Sequence, residues 1–276
     1  MNPMIRKELR QRMRERRAWL LPSLYLLVLG AVVTFAYFVT TEDSGRTNNV
    51  QGSTVGVALF LTLAYAQLAL LLLMAPILSA GSITIEKEQR TLAGLLTSLL
   101  TVGQIWWGKF VSSLLFVLLL LVTSLPVLSL AFAFGGVGPW EVFTATATTV
   151  IILGSMAAVG LYCSSAFRRS IHATAVSYAT VVAISVITAI IFFVRLQLFQ
   201  SAHARPGGTV VVAGWYGIPL DIRLPMYLNP FFFLTSSFAP PSQLYPAWTT
   251  CAGLFTAVGI ISVVLTLRNL RRSGDA

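Results

Sequence analysis

Charge is scarce in this sequence. Asp, Glu, Lys and Arg make up 10% of its 276 residues, and 56% are hydrophobic, whereas an ordinary soluble domain is about 25% charged. Acidic residues are the scarcest, nine against 19 Lys and Arg. A nucleic-acid-binding protein would carry its basic residues on a solvated surface around a soluble core. This composition excludes such a protein, and we expect no nucleic acid as partner.

Histidine and cysteine are also scarce, with two of each. His172 and His203 lie at the ends of apolar runs, so the clustered ligands of an intramembrane metalloprotease are missing. A serine protease in the membrane would need a His or Lys base at membrane depth, which is also missing. Cys163 and Cys251 fall in apolar runs and are expected to be buried small hydrophobes. We predict no catalytic residue, metal site or cofactor site in this chain.

Six long apolar runs contain no Asp, Glu, Lys, Arg or His. A hydrocarbon core of about 30 Å requires about 20 apolar residues in a helix. The sequence therefore predicts an all-α integral membrane protein with six transmembrane helices. The predicted spans are approximately 22–40, 55–83, 110–134, 142–167, 173–194 and 247–267.

The basic residues are unevenly divided between the two faces that these spans define. Fifteen of the 19 Lys and Arg fall on the face that holds both termini. Basic residues concentrate on the cytoplasmic side of membrane proteins. We therefore predict that both termini, including the tail 269–276, are cytoplasmic.

The N-terminal segment 1–21 has a helical pattern of its own. Asn2 is a suitable cap before Pro3, and Ile5, Leu9 and Met13 recur at every fourth residue among basic residues. This pattern predicts a cytoplasmic amphipathic helix lying in the interface, with its basic residues toward anionic lipid headgroups. The alternative is a solvated segment that only sets the orientation of the first span.

The six-span domain, 22–268, contains a long external segment at 195–246. Asn229 followed by Pro230 is a helix-start signal, and Pro240 with Pro241 is a stop. The piece between them is too short to cross a membrane. It is either a short helix that dips into the outer leaflet or part of an aromatic belt beside the sixth span.

The loop 84–109 contains a pattern that resembles a phosphate-binding loop. Gly103, Gly108 and Lys109 have the spacing Gly-x-x-x-x-Gly-Lys, but Phe110 stands where a Ser or Thr would bind Mg²⁺. The residues inside the pattern include two bulky tryptophans. We therefore expect no nucleotide site here.

The same loop begins with a charged turn and continues with an amphipathic helix. Glu86, Lys87, Glu88 and Arg90 end the second span. Leucines then recur at spacings of three and four, which is typical of one face of a helix. This stripe needs a cover of lipid or protein.

At these residues the loop resembles that of the permease subunits of ABC-2-type exporters, which reads close to E-K-E-R-G-T-L-E-x-L-L-x-x-P-L-S-x-x-x-I-x-x-G-K. Arg90 stands where that family usually has Gly, and Leu99 where it usually has Pro. The layout of six spans with a basic N-terminal helix is also similar. The matching residues are Glu86, Lys87, Glu88, Thr91, Leu92, Leu95, Leu96, Leu100, Ile105, Gly108 and Lys109.

The resemblance implies a non-catalytic permease in the plasma membrane, in a bacterium the inner membrane. Two copies of a separate ABC ATPase would hold ATP and Mg²⁺, and a second copy of this chain or a related permease would complete the pathway. The implied ATPase-coupling residues are Glu86, Glu88, Thr91, Leu92, Leu95, Leu96, Leu99, Gly108 and Lys109.

Several alternatives stay open on the sequence. Glu86 and Glu88 would form either contacts with the ATPase or latches to the permease's own basic residues, and a solvated charged turn is a further possibility. The chain as a whole could instead be a channel or secondary carrier unrelated to ABC transporters. It could also be a structural membrane component that recruits cytosolic partners.

Overall fold

The computed structural model describes residues 17–46, 52–91, 101–203, 220–238 and 241–274, which contain helices and no strand. The predicted interfacial helix, apart from residues 17–21, and the leucine stripe lie outside these residues. The helices are α1 Arg17–Arg46, α2 Gly52–Glu88, α3 Val102–Phe134, α4 Pro139–Ala166, α5 Ser170–His203, α6 Leu220–Tyr227, α7 Pro230–Ser236 and α8 Pro241–Gly274.

Six of these helices are long and apolar enough to cross a membrane, which confirms the predicted all-α membrane fold. Helix α2, with 37 residues, is about 55 Å long at about 1.5 Å per residue and so exceeds a hydrocarbon core of about 30 Å. The six spans are Trp19–Val39, Gly56–Glu88, Val102–Ser129, Pro139–Ala166, Ser170–Phe199 and Ala247–Arg271.

Helix α4 is the centre of the bundle. It packs against α2, α3, α5 and α8, and 61% of its most apolar stretch is buried, against 11% for α5. Helix α4 passes close to α2 at Gly160, where an added Cβ would collide with Ser79 Oγ. Helices α2 and α4 therefore approach closely because a residue without a side chain lies between them.

Four apolar clusters hold the described helices together, the smallest of them around Phe192 of α5 and Met226 of α6. The largest joins all helices from α2 to α8 and includes Phe60, Ile152, Val181, Phe233 and Phe255. The second joins α1, α2, α3 and α4, and the third joins α2, α3, α4 and α8. The second cluster includes Leu29, Leu71, Leu120 and Leu153. The third includes Ile83, Trp106, Leu161 and Leu270.

Helices α2 and α4 end, and α3 and α5 begin, at one end of the bundle, called the loop end below. Both ends of the predicted loop 84–109 are helical there, because residues 84–88 belong to α2 and residues 102–109 to α3. The charged residues belong to these helices rather than to a loop, and Glu86 in the last turn of α2 forms an ion pair of 2.8 Å with Lys109 near the start of α3. At this end both helices therefore extend beyond the predicted spans, whose limits were drawn where charge begins.

The opposite end of the bundle, called the α7 end below, contains the predicted external segment. As predicted, Asn229 caps α7, accepting hydrogen bonds from the backbone N–H groups of Phe231 and Phe232. Helix α5 continues to His203, and Pro241 begins α8 rather than only stopping α7. Phe233 and Leu234 are fully buried, so α7 is packed inside the bundle, which favours the dipping helix over the aromatic belt.

Candidate functional site at the loop end

Helix α2 ends in a Schellman motif, which fixes the direction in which the loop leaves the bundle. The N–H of Thr91 donates to Glu86 O at 3.0 Å, and the N–H of Arg90 donates to Lys87 O at 3.2 Å. Arg90 has φ of 55°, the left-handed conformation that this motif requires after the helix. A residue without a Cβ adopts that conformation at the least cost, so the family's usual Gly at this position has a physical reason.

Glu86 binds α2 to α3. Its Oε1 lies 2.8 Å from Lys109 Nζ, and the Lys109 side chain is 2% exposed. Lys109 also donates to Ser82 O at 2.6 Å. A buried ammonium requires such partners, because its desolvation is otherwise costly.

Lys87 binds α2 to the end of α4. Its Nζ donates to the backbone carbonyls of Ser165 and of Phe167, the latter at 3.2 Å, and lies 3.4 Å from Ser164 O. The last carbonyls of a helix have no partner within the helix and carry its negative dipole end. The ammonium therefore caps α4 from a neighbouring helix.

Glu88 binds α2 to the start of α5. Its Oε1 accepts hydrogen bonds from Ser170 N at 2.7 Å and from Ser170 Oγ at 3.0 Å. A carboxylate at a helix N-terminus satisfies free N–H groups and is favoured by the helix dipole. Three consecutive residues, Glu86, Lys87 and Glu88, thus attach α2 to three different helices, and we call them the clamp.

Further side chains reinforce α2 next to the clamp. Ser164 Oγ of α4 accepts hydrogen bonds from the N–H groups of Ile83 at 2.9 Å and Thr84 at 3.0 Å. Ser113 Oγ of α3 donates to Leu78 O at 3.0 Å. The last three turns of α2 are therefore hydrogen-bonded to α4 on one side and to α3 on the other.

Helix α3 begins in a capping box on the far side of the loop. The N–H of Thr101 donates to Gln104 Oε1 at 3.0 Å, and the N–H of Gln104 lies 3.4 Å from Thr101 Oγ1. This reciprocal pair satisfies two free N–H groups of the first turn. The intervening segment 92–100 lies outside the described residues, and both of its ends are fixed by capping motifs.

Comparison with known protein families matches residues 3–272 to the family described as ABC-2 family transporter protein. The match covers nearly the whole chain. The chain belongs to the ABC-2 transporter family. It is a multi-pass membrane permease subunit, of a family whose transmembrane subunits are generally non-catalytic. A search of curated proteins finds no match.

The structure locates five of the permease's nine predicted coupling residues. Glu86, Glu88 and Thr91 lie at the end of α2, and Gly108 and Lys109 lie buried in α3 rather than in a loop. The other four, Leu92, Leu95, Leu96 and Leu99, fall outside the described residues. Glu86 contacts Lys109 and Glu88 contacts Ser170, so both glutamates bind within the permease.

The phosphate-loop pattern forms no loop in the permease. Gly103, Gly108 and Lys109 lie near the start of α3, where N–H groups beyond the first turn bond to carbonyls of the helix. Lys109 Nζ already binds Glu86 and Ser82 O. This pattern therefore arises from a helix with a buried lysine.

Reasoning from the sequence did not assign the partners of the clamp. Ser164 and Ser170 lie about 80 positions from α2, and no local pattern marks them as its partners. Lys87 matches the family motif but is not among the predicted coupling residues. The capping box of Thr101 and Gln104 was visible as Thr-x-x-Gln before an apolar run and would have placed the start of α3 correctly.

Proposed function

We propose that this permease is the membrane subunit of an ATP-driven exporter and couples to a separate ATPase through the segment 91–101. The observation that carries the proposal is the clamp: Glu86, Lys87 and Glu88 attach α2 to α3, α4 and α5 at the point where the loop leaves. The loop is therefore joined to a connected block of four spans.

A partner that moves the loop would move this block. The residues on either side of segment 92–100 are fixed in capping motifs, so a force applied through the segment would act directly on the ends of α2 and α3. The clamp passes the displacement on to α4 and α5. Rigid-body movement of packed helices is a common form of conformational switching.

The leucine stripe is expected to supply most of the affinity for the ATPase. Leu92, Leu95, Leu96 and Leu99 would each contribute about 1.5 to 3 kcal/mol if a partner buried them completely. Exposed ion pairs contribute only about 0 to 1 kcal/mol. Since Glu86 is already paired within the permease, its role is to hold the helices that receive the movement.

The assembly follows from the family and from the distribution of charge. An ABC ATPase would bind in two copies on the cytoplasmic face, and a second copy of this chain or a related permease would complete the pathway. Both termini would be cytoplasmic, because 15 of 19 basic residues fall on their side. The plasma membrane, in a bacterium the inner membrane, would be the location.

Purification in mild detergent with identification of what accompanies the permease tests this proposal. The native chain should bring down an ABC ATPase, and Leu95→Asp should lose it, because a carboxylate would be buried in the partner's groove without a pair. Thr97→Asp is the matched control, since residue 97 lies on the opposite face of the predicted helix. It should retain the ATPase.

The amount of permease in the membrane must be equal for both variants, so that folding does not explain the result. Retention of the full complex by Leu95→Asp would show that the stripe lies on lipid, and the coupling assignment would be wrong. Loss of the ATPase from both variants would show that added charge alone weakens binding.

A further inference from the structure

A cavity of about 670 Å³ lies between α2, α5, α6 and α7 at the α7 end. Its size falls in the range of about 300 to 1,000 Å³ typical of small-molecule sites. Eight of its twelve lining residues are apolar, including Phe193, Phe231 and Phe232, and none is charged. We call it the groove.

The polar side chains of the groove have no hydrogen left to donate. Thr235 Oγ1 donates to Phe231 O at 2.8 Å, so Tyr65 is the donor in its 2.6 Å contact with Thr235. Ser185 donates to Val181 O. A hydroxyl has a single hydrogen, and in these three side chains it is used within the protein.

Asn229 is the fourth polar residue that lines the groove. Its amide donates one hydrogen to Ser185 O at 2.8 Å and the other to Thr188 Oγ1 at 3.1 Å. Its carbonyl oxygen accepts from the N–H groups of Phe231 and Phe232. Since an amide has two donor hydrogens, the groove offers a ligand neither a charge nor a free side-chain donor. Such a lining suits a hydrocarbon better than a charged ligand.

The length and opening of the groove identify the source of that hydrocarbon. Along α5 the lining runs from Ser185 to Val194, about 13 Å at about 1.5 Å per residue, close to half of a hydrocarbon core of about 30 Å. Val186 and Ile190 are 49% and 56% exposed, so the groove opens sideways on an apolar face of a membrane span. Lipid chains surround such a face, and one leaflet has the length of the groove.

The geometry points to an acyl-chain site: the groove takes one acyl chain of a membrane lipid. It lies in the second half of α5, which begins at the loop end, so the proposed topology assigns it to the outer leaflet. The step from binding to transport rests on the proposed function and names its substrate class, an amphiphile that carries an acyl chain.

Photolabelling of the purified permease in lipid nanodiscs tests the site. The probe is a phosphatidylglycerol with a diazirine at the end of one acyl chain, and labelled residues are identified by mass spectrometry. Phe231 and Phe232 should be labelled at least fivefold more than Leu27, which is 68% exposed on α1 and reports ordinary contact with lipid.

Two tryptophan variants on the same helix serve as a matched pair. Ala189→Trp fills the groove and should lower labelling of Phe231 and Phe232 at least fivefold. Ile187→Trp changes a residue that is 53% exposed and does not line the groove, so labelling should stay within twofold of native. If Ala189→Trp does not fold, Val186→Trp replaces it, because Val186 lines the groove from an exposed position.

Two results would overturn the inference. Labelling of Phe231 and Phe232 that equals that of Leu27, or that survives the filling variant, would show that no acyl chain occupies the groove. A disulfide between two copies of Val186→Cys, together with absent labelling, would show that a second copy covers it. The assay contains no ATPase, so its failure leaves the proposed function standing, and failure of co-purification leaves the groove standing.

Discussion

Replacing Lys109 by methionine tests whether the ion pair at the loop end stabilises the permease. Two unit charges 2.8 Å apart attract by about 6 kcal/mol at an effective dielectric constant of about 20, and desolvation offsets much of this. Removing one partner of a buried pair costs about 3 to 5 kcal/mol. Because the Glu86 side chain is 21% exposed, we expect the lower end for Lys109→Met, about 3 kcal/mol.

A double-mutant cycle separates the pair from the bulk of the side chains. We expect Glu86→Gln alone to cost about 2 kcal/mol, since Gln can still accept a hydrogen bond from Lys109. The double variant leaves no orphaned charge and should cost about 3 kcal/mol rather than about 5, an interaction energy of about 2 kcal/mol.

The free energy of unfolding is measured by equilibrium denaturation in mixed detergent micelles. Arg168→Met is the control, because it removes an exposed positive charge from the same end of the bundle and should change stability by no more than about 0.5 kcal/mol. Additive costs of the two single variants, within about 0.5 kcal/mol, would refute the reasoning.

Three further predictions concern the turn, the helix crossing and the topology. Arg90→Gly should stabilise the permease by about 0.5 to 1 kcal/mol in the same assay and Arg90→Val should destabilise it, since left-handed φ is least costly for Gly. A loss of stability in Arg90→Gly would contradict the left-handed conformation of this turn. Gly160→Ala should cost about 1 to 3 kcal/mol of stability through its collision with Ser79, and adding Ser79→Gly should restore part of that stability. If it restores none, the collision is not the cause of the loss. An impermeant thiol reagent applied to whole cells should label Ala204→Cys but not Gln89→Cys; the reverse pattern would invert the proposed topology.

The spans could be predicted from the sequence because the absence of charge over about 20 residues is a local and unambiguous signal. The cap at Asn229 followed from the same kind of local rule. The partners of the clamp could not be predicted in this way, since Glu88 and Ser170 are 82 positions apart and meet only through the packing of α2 against α5. The burial of Lys109 was also hidden, because a lysine before an apolar run ordinarily indicates the membrane interface.

The same limit applies to the groove. The aromatic run at Phe231 and Phe232 fits a belt at the membrane surface as well as a helix within the bundle. The contacts of α7 and its cap with Tyr65 and Ser185, which lie in other spans, show that the helix packs within the bundle. A pattern that is local in sequence predicts the helix and its cap, whereas the packing of the helix depends on residues from other helices.

Coupling through the segment 91–101 is tested most directly by a photo-crosslinking amino acid placed at Leu96 in cells. Ultraviolet light should join the permease to a protein that mass spectrometry identifies as an ABC ATPase. The same probe at Thr97, on the opposite face of the predicted helix, should give at most one-fifth as much product. Cross-links from Leu96 only to lipid or to the permease's own spans would contradict the coupling role.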